Sequence, residues 1–125
     1  MKRTFFSLAL LLAVATLTAQ TKMTAREAAV KIADRILAST TYEFKNTKTG
    51  EIYKSVKKLP LDMDVKVACK YNNWHYTNGV TNMALMELGD KLGDKKYEKY
   101  VLKNMNFVFN EGNLDFFRKQ YDEAF

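Results

Sequence analysis

The stretch 74-WHYTNGVTNMALMELGDKLGDKKYEKY-100 decides the fold predicted for this chain, because it holds two helical patterns separated by a tight turn. Apolar residues recur at helical spacing over positions 78–92, and a second amphipathic pattern follows Gly93-Asp94. We therefore predict a helix over about residues 78–92, capped by Thr77 or Asn78. A second helix, capped by Asp94, should follow directly.

The two predicted helices differ in where their apolar residues lie. The first is apolar on more than one face, which is typical of a helix enclosed on most sides. The second has one apolar stripe opposite a row of lysines, so it should be half exposed. The stripe consists of Tyr97, Tyr100, Val101, Met105 and Val108, and the row of Lys95, Lys96, Lys99 and Lys103. Residues 110–113 should break this helix, and a further helix should begin at Leu114.

The chain before Trp74 predicts one more helix and a short hairpin. Thr24 and Glu27 have the spacing of a capping box, and apolar residues follow at helical spacing over residues 24–39, with Asp34 directed outward. Alternating residues on either side of a turn predict a hairpin over residues 42–53, while residues 61–73 show no clear period. The expected fold class is mainly α with a short β-hairpin insertion.

The first twenty residues have the charged, apolar and small-residue order of a secretory signal peptide. Lys2-Arg3 precedes the apolar run Phe5–Val14, which is too short and wrongly flanked for a membrane anchor. We expect Sec-type export to the periplasm or the cell exterior and removal of residues 1–20. Residues 21–125 should then form one domain that has no membrane partner.

The composition of the exported chain limits the classes of partner that it is expected to bind. Without Lys2 and Arg3 it has 18 basic residues against 14 acidic ones, a net charge of +4. Export and the scattered lysines argue against nucleic acid. Cys69 is the only cysteine, so no internal disulfide can form, and we expect it to be buried. Asp62 and Asp64 lack the other oxygen ligands of a calcium loop, so we expect no metal, and we expect no cofactor.

The segment at the mouth of the predicted helix has chemistry that suits a sugar. Trp74 and Tyr76 offer flat faces for C–H surfaces, and Asn78 offers a donor and an acceptor. They are the candidate substrate-binding residues. The alternative is that Trp74 and Tyr76 are core aromatics and that Asn78 is a helix cap. His75, which should point away from both aromatics in an extended segment, is treated as a bystander.

Residues 74–100, together with 116-FFRKQYDEAF-125, resemble the start of the unsaturated glucuronyl and rhamnogalacturonyl hydrolases, glycoside hydrolase families 88 and 105. The resemblance covers roughly residues 24–125. It implies an (α/α)6 barrel of six inner and six outer helices. Only about four helices fit this chain, which is therefore expected to be the amino-terminal part of such a barrel, with the rest of the barrel as its partner.

The resemblance also implies an activity. Such enzymes remove an unsaturated uronic acid from acidic oligosaccharides of pectin (rhamnogalacturonan) or glycosaminoglycan, by hydrating its C4=C5 bond with the help of an aspartate. The family's catalytic aspartates follow the segment that resembles residues 116–125, so they are expected beyond residue 125. Asp115 and Asp122 are interpreted as solvated carboxylates and not as replacements. This chain alone is therefore expected to be inactive.

Two other interpretations remain open at this stage. A secreted helical-repeat binding module of the tetratricopeptide kind is suggested by the helix pair around Gly93-Asp94. A repeat array should show a fixed period, however, and the hairpin over residues 42–53 has no place in one. The third interpretation, a small complete structural protein, is disfavoured by a chain that ends on Phe125 in mid-pattern.

Overall fold

The computed structural model describes residues 22–122, so the leader predicted over residues 1–20 lies outside the described residues. Within that range the chain forms four helices and a small three-stranded sheet. In chain order the elements are α1 Ala25–Ser39, β1 Phe44–Asn46, β2 Ile52–Tyr53, β3 Val65–Val67, α2 Tyr76–Leu92, α3 Lys95–Phe109 and α4 Glu111–Asp122. The expectation of a mainly helical chain with a short hairpin is confirmed.

Helix α1 begins where predicted because Thr24 and Glu27 form a complete capping box. Thr24 Oγ1 accepts a hydrogen bond from the Glu27 N–H at 3.2 Å, and the Glu27 carboxylate accepts from the Thr24 N–H at 2.8 Å. Asp34 is half-buried, which corrects the prediction that it points outward. It accepts a hydrogen bond from the Tyr97 hydroxyl at 2.8 Å and pairs with Lys96 at 2.9 Å. These contacts hold α1 against α3.

The sheet contains the predicted hairpin and one strand that the sequence did not indicate. Strands β1 and β2 pair antiparallel, with Phe44 opposite Tyr53. Strand β3 pairs antiparallel with the other edge of β1, so that the strand order is β2-β1-β3. The sequence prediction missed β3 because residues 61–73 show no clear period and no tight turn joins β3 to β1, whereas a turn cluster marks the β1–β2 hairpin.

Helices α2 and α3 form the predicted antiparallel pair. Gly93 ends α2 in the left-handed conformation, with φ 66°, and the Asp94 side chain accepts from the Lys96 N–H at 3.0 Å to cap α3. Gly89 allows the close approach of the two helices, since a Cβ atom there would lie 3.1 Å from the Asp94 carbonyl oxygen and 3.3 Å from the Tyr97 Cβ. The turn and the fully buried Tyr97 thus fix the pair.

The break predicted over residues 110–113 is wrong in its extent. Asn110 is the C-cap of α3, and α4 begins immediately after it, so Gly112 and Asn113 are helical. Asn110 Oδ1 accepts a hydrogen bond from the Asn113 N–H at 3.0 Å, which starts the new helix without a longer loop.

Two clusters of buried side chains form the core of the described residues. One joins the sheet to α3 and α4 through Phe44, Val65, Phe107, Val108 and Phe116. The other joins α1, α2 and α3 through Ala33, Leu85, Tyr97, Tyr100 and Val101. The Lys face of α3 lies opposite these clusters, as predicted, although Lys96 pairs with Asp34 and Lys103 lies over the Tyr42 ring.

Helix α2 is not enclosed on most sides within the described chain. Val80 and Met83 are exposed, and Val80 lines an open apolar groove together with Ile32 of α1. The apolar residues predicted to cover several faces of α2 thus meet other described side chains mainly on one face. Among residues 22–122, no helix is both long and apolar enough to cross a membrane.

Candidate functional site

A pocket of about 500 Å³ lies where the loop before α2 meets the first turns of α2 and the last turns of α3. The loop and α2 contribute the residues singled out from the sequence, and α3 closes the opposite wall. The lining consists of Asn72, Asn73, Trp74, His75, Tyr76, Asn78, Gly79, Asn82, Asn104, Met105, Val108 and Phe109. Trp74, Tyr76 and Asn78, which the sequence nominated separately, therefore share one pocket.

The two aromatic candidates are not core residues. Trp74 is 51% exposed, and its ring meets the Phe109 ring edge to face, with 5.5 Å between centroids. Tyr76 is 78% exposed. The alternative interpretation of both as core aromatics is therefore wrong. An aromatic side chain as exposed as that of Tyr76 beside a pocket can contact a ligand.

His75, and neither Thr77 nor Asn78, caps α2, which begins two residues earlier than predicted. His75 Nδ1 accepts a hydrogen bond from the Thr77 N–H at 3.4 Å and lies 2.8 Å from Thr77 Oγ1. Its ring lies against that of Tyr76, with 5.0 Å between centroids. The prediction that His75 points away from Tyr76 is wrong, since the two rings lie side by side at the start of the helix; its role as a bystander in ligand binding stays a prediction.

Asn78 has a different structural role from the predicted cap. Its Nδ2 donates to the carbonyl oxygens of Lys70 at 2.9 Å and Asn73 at 3.1 Å. These bonds hold the preceding loop against α2. Asn78 thus contributes to the pocket by fixing the segment that carries Trp74.

The sequence prediction missed a chain of hydrogen-bonded polar side chains, Tyr42, Asn104 and Asn82, of which the two asparagines line the pocket. The Tyr42 hydroxyl donates to Asn104 Oδ1 at 3.0 Å, and Asn104 Nδ2 donates to Asn82 Oδ1 at 3.1 Å. Asn104 sits within the apolar stripe of α3, between Val101 and Val108. A polar residue at a core position of an amphipathic helix could have indicated a buried hydrogen-bonded side chain.

The Tyr42 hydroxyl is partly desolvated. Its desolvation raises the pKa of the hydroxyl to about 12, with smaller contributions from Tyr100 and Cys69. A neutral hydroxyl can donate, as that of Tyr42 does to Asn104 Oδ1.

Asn72 is the most deeply buried polar residue of the loop that carries Trp74. It is 2% exposed, and its Nδ2 donates to the Thr41 carbonyl oxygen at 2.7 Å. Because a carbonyl can only accept, this bond settles the orientation of the amide. The other end of the side chain, Oδ1, is buried and has no hydrogen-bond partner among the described residues.

The described lining of the pocket carries no Lys, Arg, Asp or Glu. The carboxylates considered from the sequence lie elsewhere: Asp64 pairs with Lys48, and the exposed Asp115 lies 4.0 Å from Arg118. Cys69 is buried as predicted. No cluster of three or more metal-ligating side chains occurs in the part of the chain that the structure describes. The pocket is suited to binding by stacking and neutral hydrogen bonds, and not to acid–base chemistry by carboxylates.

Comparisons of the chain with protein-family models, with curated proteins and with solved structures find no match. The resemblance to the uronyl hydrolases therefore depends on the residues quoted from the sequence alone.

Proposed function

We propose that this chain is the amino-terminal part of an exported unsaturated uronyl hydrolase and that its pocket forms part of the wall that binds the oligosaccharide. The observation that carries the proposal is the meeting of Trp74, Tyr76 and Asn78 in the lining of one pocket. A pyranose presents C–H surfaces and hydroxyl groups together, so a sugar-binding site combines aromatic side chains with amide groups held in place.

The proposal extends to the barrel. In it α2 is an inner helix and α3 its outer partner, joined by the turn at Gly93. The exposed Val80 and Met83 support this assignment, since an inner helix would be covered by neighbours that these residues contact. The catalytic aspartates belong to segments beyond residue 125, in keeping with a described pocket lining that has no carboxylate.

The tetratricopeptide-like alternative gains no support from the helix arrangement. A three-stranded sheet lies between α1 and α2 in the chain, and its β1 and β3 contribute Phe44 and Val65 to a buried cluster with α3 and α4. Stacked helix pairs have no position for such a sheet.

The test uses Trp74 as its own reporter, because it is the only tryptophan of the chain. An unsaturated galacturonyl-rhamnose disaccharide is titrated into the purified chain while Trp74 fluorescence and the ultraviolet absorbance of the C4=C5 bond are followed. We expect a saturable fluorescence change without loss of absorbance. A fluorescence signal that stays flat up to saturating sugar would overturn the binding role. Turnover that disappears when one of the chain's own carboxylates is replaced would overturn the assignment of the catalytic aspartates.

A further inference from the structure

The exposed face of the sheet brings together two lysines that are distant in the sequence. Lys45 and Lys66 are Cα partners in the antiparallel pairing of β1 with β3, so their side chains point to the same side of the sheet. Both are exposed, whereas the neighbours of Lys45 within β1 are buried. Ile52, the partner of Lys45 in β2, is 48% exposed. Ile52, Lys45 and Lys66 together are called the sheet row.

Neither lysine of the sheet row forms an ion pair with a described residue, because the nearest carboxylates along the chain already have partners. Glu43, two residues before the first lysine, pairs with Lys54, and Asp64, two residues before the second, pairs with Lys48. Hydrogen bonding to Lys48 is also the main cause that lowers the pKa of Asp64, and the charge of Lys66 contributes least. The sheet row therefore carries two positive charges that no described ion pair neutralises.

The fold itself gives no reason for this pair of lysines. Like charges directly opposite one another destabilise an antiparallel sheet, because their side chains start only about 5 Å apart. Lysines on edge strands can protect a sheet from pairing with another chain. That role fits Lys66 on the edge strand β3 but not Lys45, since β1 is the central strand. An anionic partner that compensates both charges would account for the pair.

The composition of the sheet row limits the kind of anion that it fits. The row crosses three strands, two interstrand spacings or about 10 Å, so an extended chain can contact all of it. Ile52 adds an exposed aliphatic surface beside the charges, and the row has no aromatic ring on which a nucleic-acid base could stack. A polysaccharide of uronic acids offers carboxylates at regular intervals together with C–H surfaces.

We propose that the sheet row binds an acidic polysaccharide, with Lys45 and Lys66 pairing with its carboxylates and Ile52 contacting a sugar ring. This surface is separate from the pocket, because none of its three residues belongs to the described pocket lining. The inference goes beyond the proposed function: it assigns a place that holds the polymer through charge, whereas the pocket lining has no charged side chain to do so.

The first measurement compares a charged polymer with its neutral form. Polygalacturonate and its fully methyl-esterified form are each titrated into the wild-type chain by calorimetry. The buffer contains about 0.1 M salt, at which charges more than about 10 Å from the polymer are largely screened. We expect polygalacturonate to bind about tenfold more tightly than the ester, or better, and the difference to shrink as the salt is raised to about 1 M.

Two double variants of equal net charge then assign the binding to the sheet row. One combines Lys45→Gln with Lys66→Gln. The matched control combines Lys31→Gln with Lys99→Gln, which removes exposed lysines of α1 and α3 that likewise have no ion pair with a described residue. We expect the first to weaken polygalacturonate binding about fivefold to tenfold, the loss of two exposed ion pairs, and the control to change it less than about twofold. The first should not lower the melting temperature, because it removes a repulsion between like charges.

Several results would overturn the inference. Polygalacturonate that does not bind, or that binds no more tightly than its ester, would exclude the role of the carboxylates, and this comparison needs neither variant. Equal losses in the two folded double variants would show that net charge, and not the sheet row, attracts the polymer. Tighter binding of single-stranded DNA or of anionic phospholipid vesicles, lost in the Lys45 and Lys66 variant, would assign the row to another class of partner. The Trp74 fluorescence titration tests the pocket separately, so the two proposals can fail independently.

Discussion

Replacing Tyr76 with alanine separates ligand binding from fold stability more cleanly than any other change in the pocket. The side chain is 78% exposed, so its removal should change the free energy of unfolding by no more than about 0.5 kcal/mol. Loss of a stacking face should weaken sugar binding by about 1–3 kcal/mol, by analogy with ring stacking on bases. That range corresponds to a dissociation constant raised roughly fivefold to 150-fold.

Trp74→Ala should affect both quantities, because Trp74 is about half buried. A tryptophan can bury up to about 250 Å². Half of that area, at about 25 cal/mol per Å², sets an upper limit of about 3 kcal/mol on the lost stability. The variant also removes the fluorescent reporter, so its affinity must be measured by calorimetry.

The assay for Tyr76→Ala combines a Trp74 fluorescence titration with a denaturant midpoint on the same preparation. Met83→Ala is the control, since Met83 is 73% exposed on the same helix but is not among the residues that line the pocket. It should change neither affinity nor midpoint appreciably. Unchanged affinity in Tyr76→Ala would refute the reasoning, and a large fall in its midpoint would show that Tyr76 has a packing role.

Other expected outcomes concern the scaffold. Gly89→Ala should lower the free energy of unfolding in urea by about 1–3 kcal/mol, because its Cβ would meet the backbone of the α2–α3 turn. Gly79→Ala has open space around its Cβ and should raise the free energy of unfolding by up to about 1 kcal/mol. Bonding to Lys96, and secondarily to Tyr97, lowers the pKa of Asp34 below its ordinary 3.8. Asp34→Asn should therefore lower the melting temperature slightly at neutral pH, and this difference should vanish as the pH falls through that pKa; a difference that persists at the lowest pH would contradict it. The exposed apolar groove that Val80 shares with Ile32 should make the chain self-associate. Val80→Lys should reduce that self-association, as measured by sedimentation; an unchanged distribution of species would argue against that surface.

Local sequence signals were enough for most of the helices and for the hairpin. The capping box at Thr24, the turn at Gly93-Asp94 and the stripe beginning at Tyr97 each depend on residues within a few positions of one another. These features can be predicted without knowing the fold, because helix capping and amphipathic periodicity depend on a single segment of the sequence. Trp74 and Tyr76 were singled out as ligand contacts from their chemistry alone, and that role stays a prediction.

The sequence by itself therefore determined most of the helices and the hairpin, and it singled out Trp74, Tyr76 and Asn78, which line one pocket. Tertiary structure decided the rest. Strand β3 exists because β1 pairs with it, and the buried amides meet because α3 carries Asn104 against Asn82 of α2. The orientation of Asn72 is likewise set by the carbonyl of Thr41, distant in the sequence. Hydrogen bonds between separate segments depend on the folded arrangement, so no local pattern in the sequence could have predicted which amides pair.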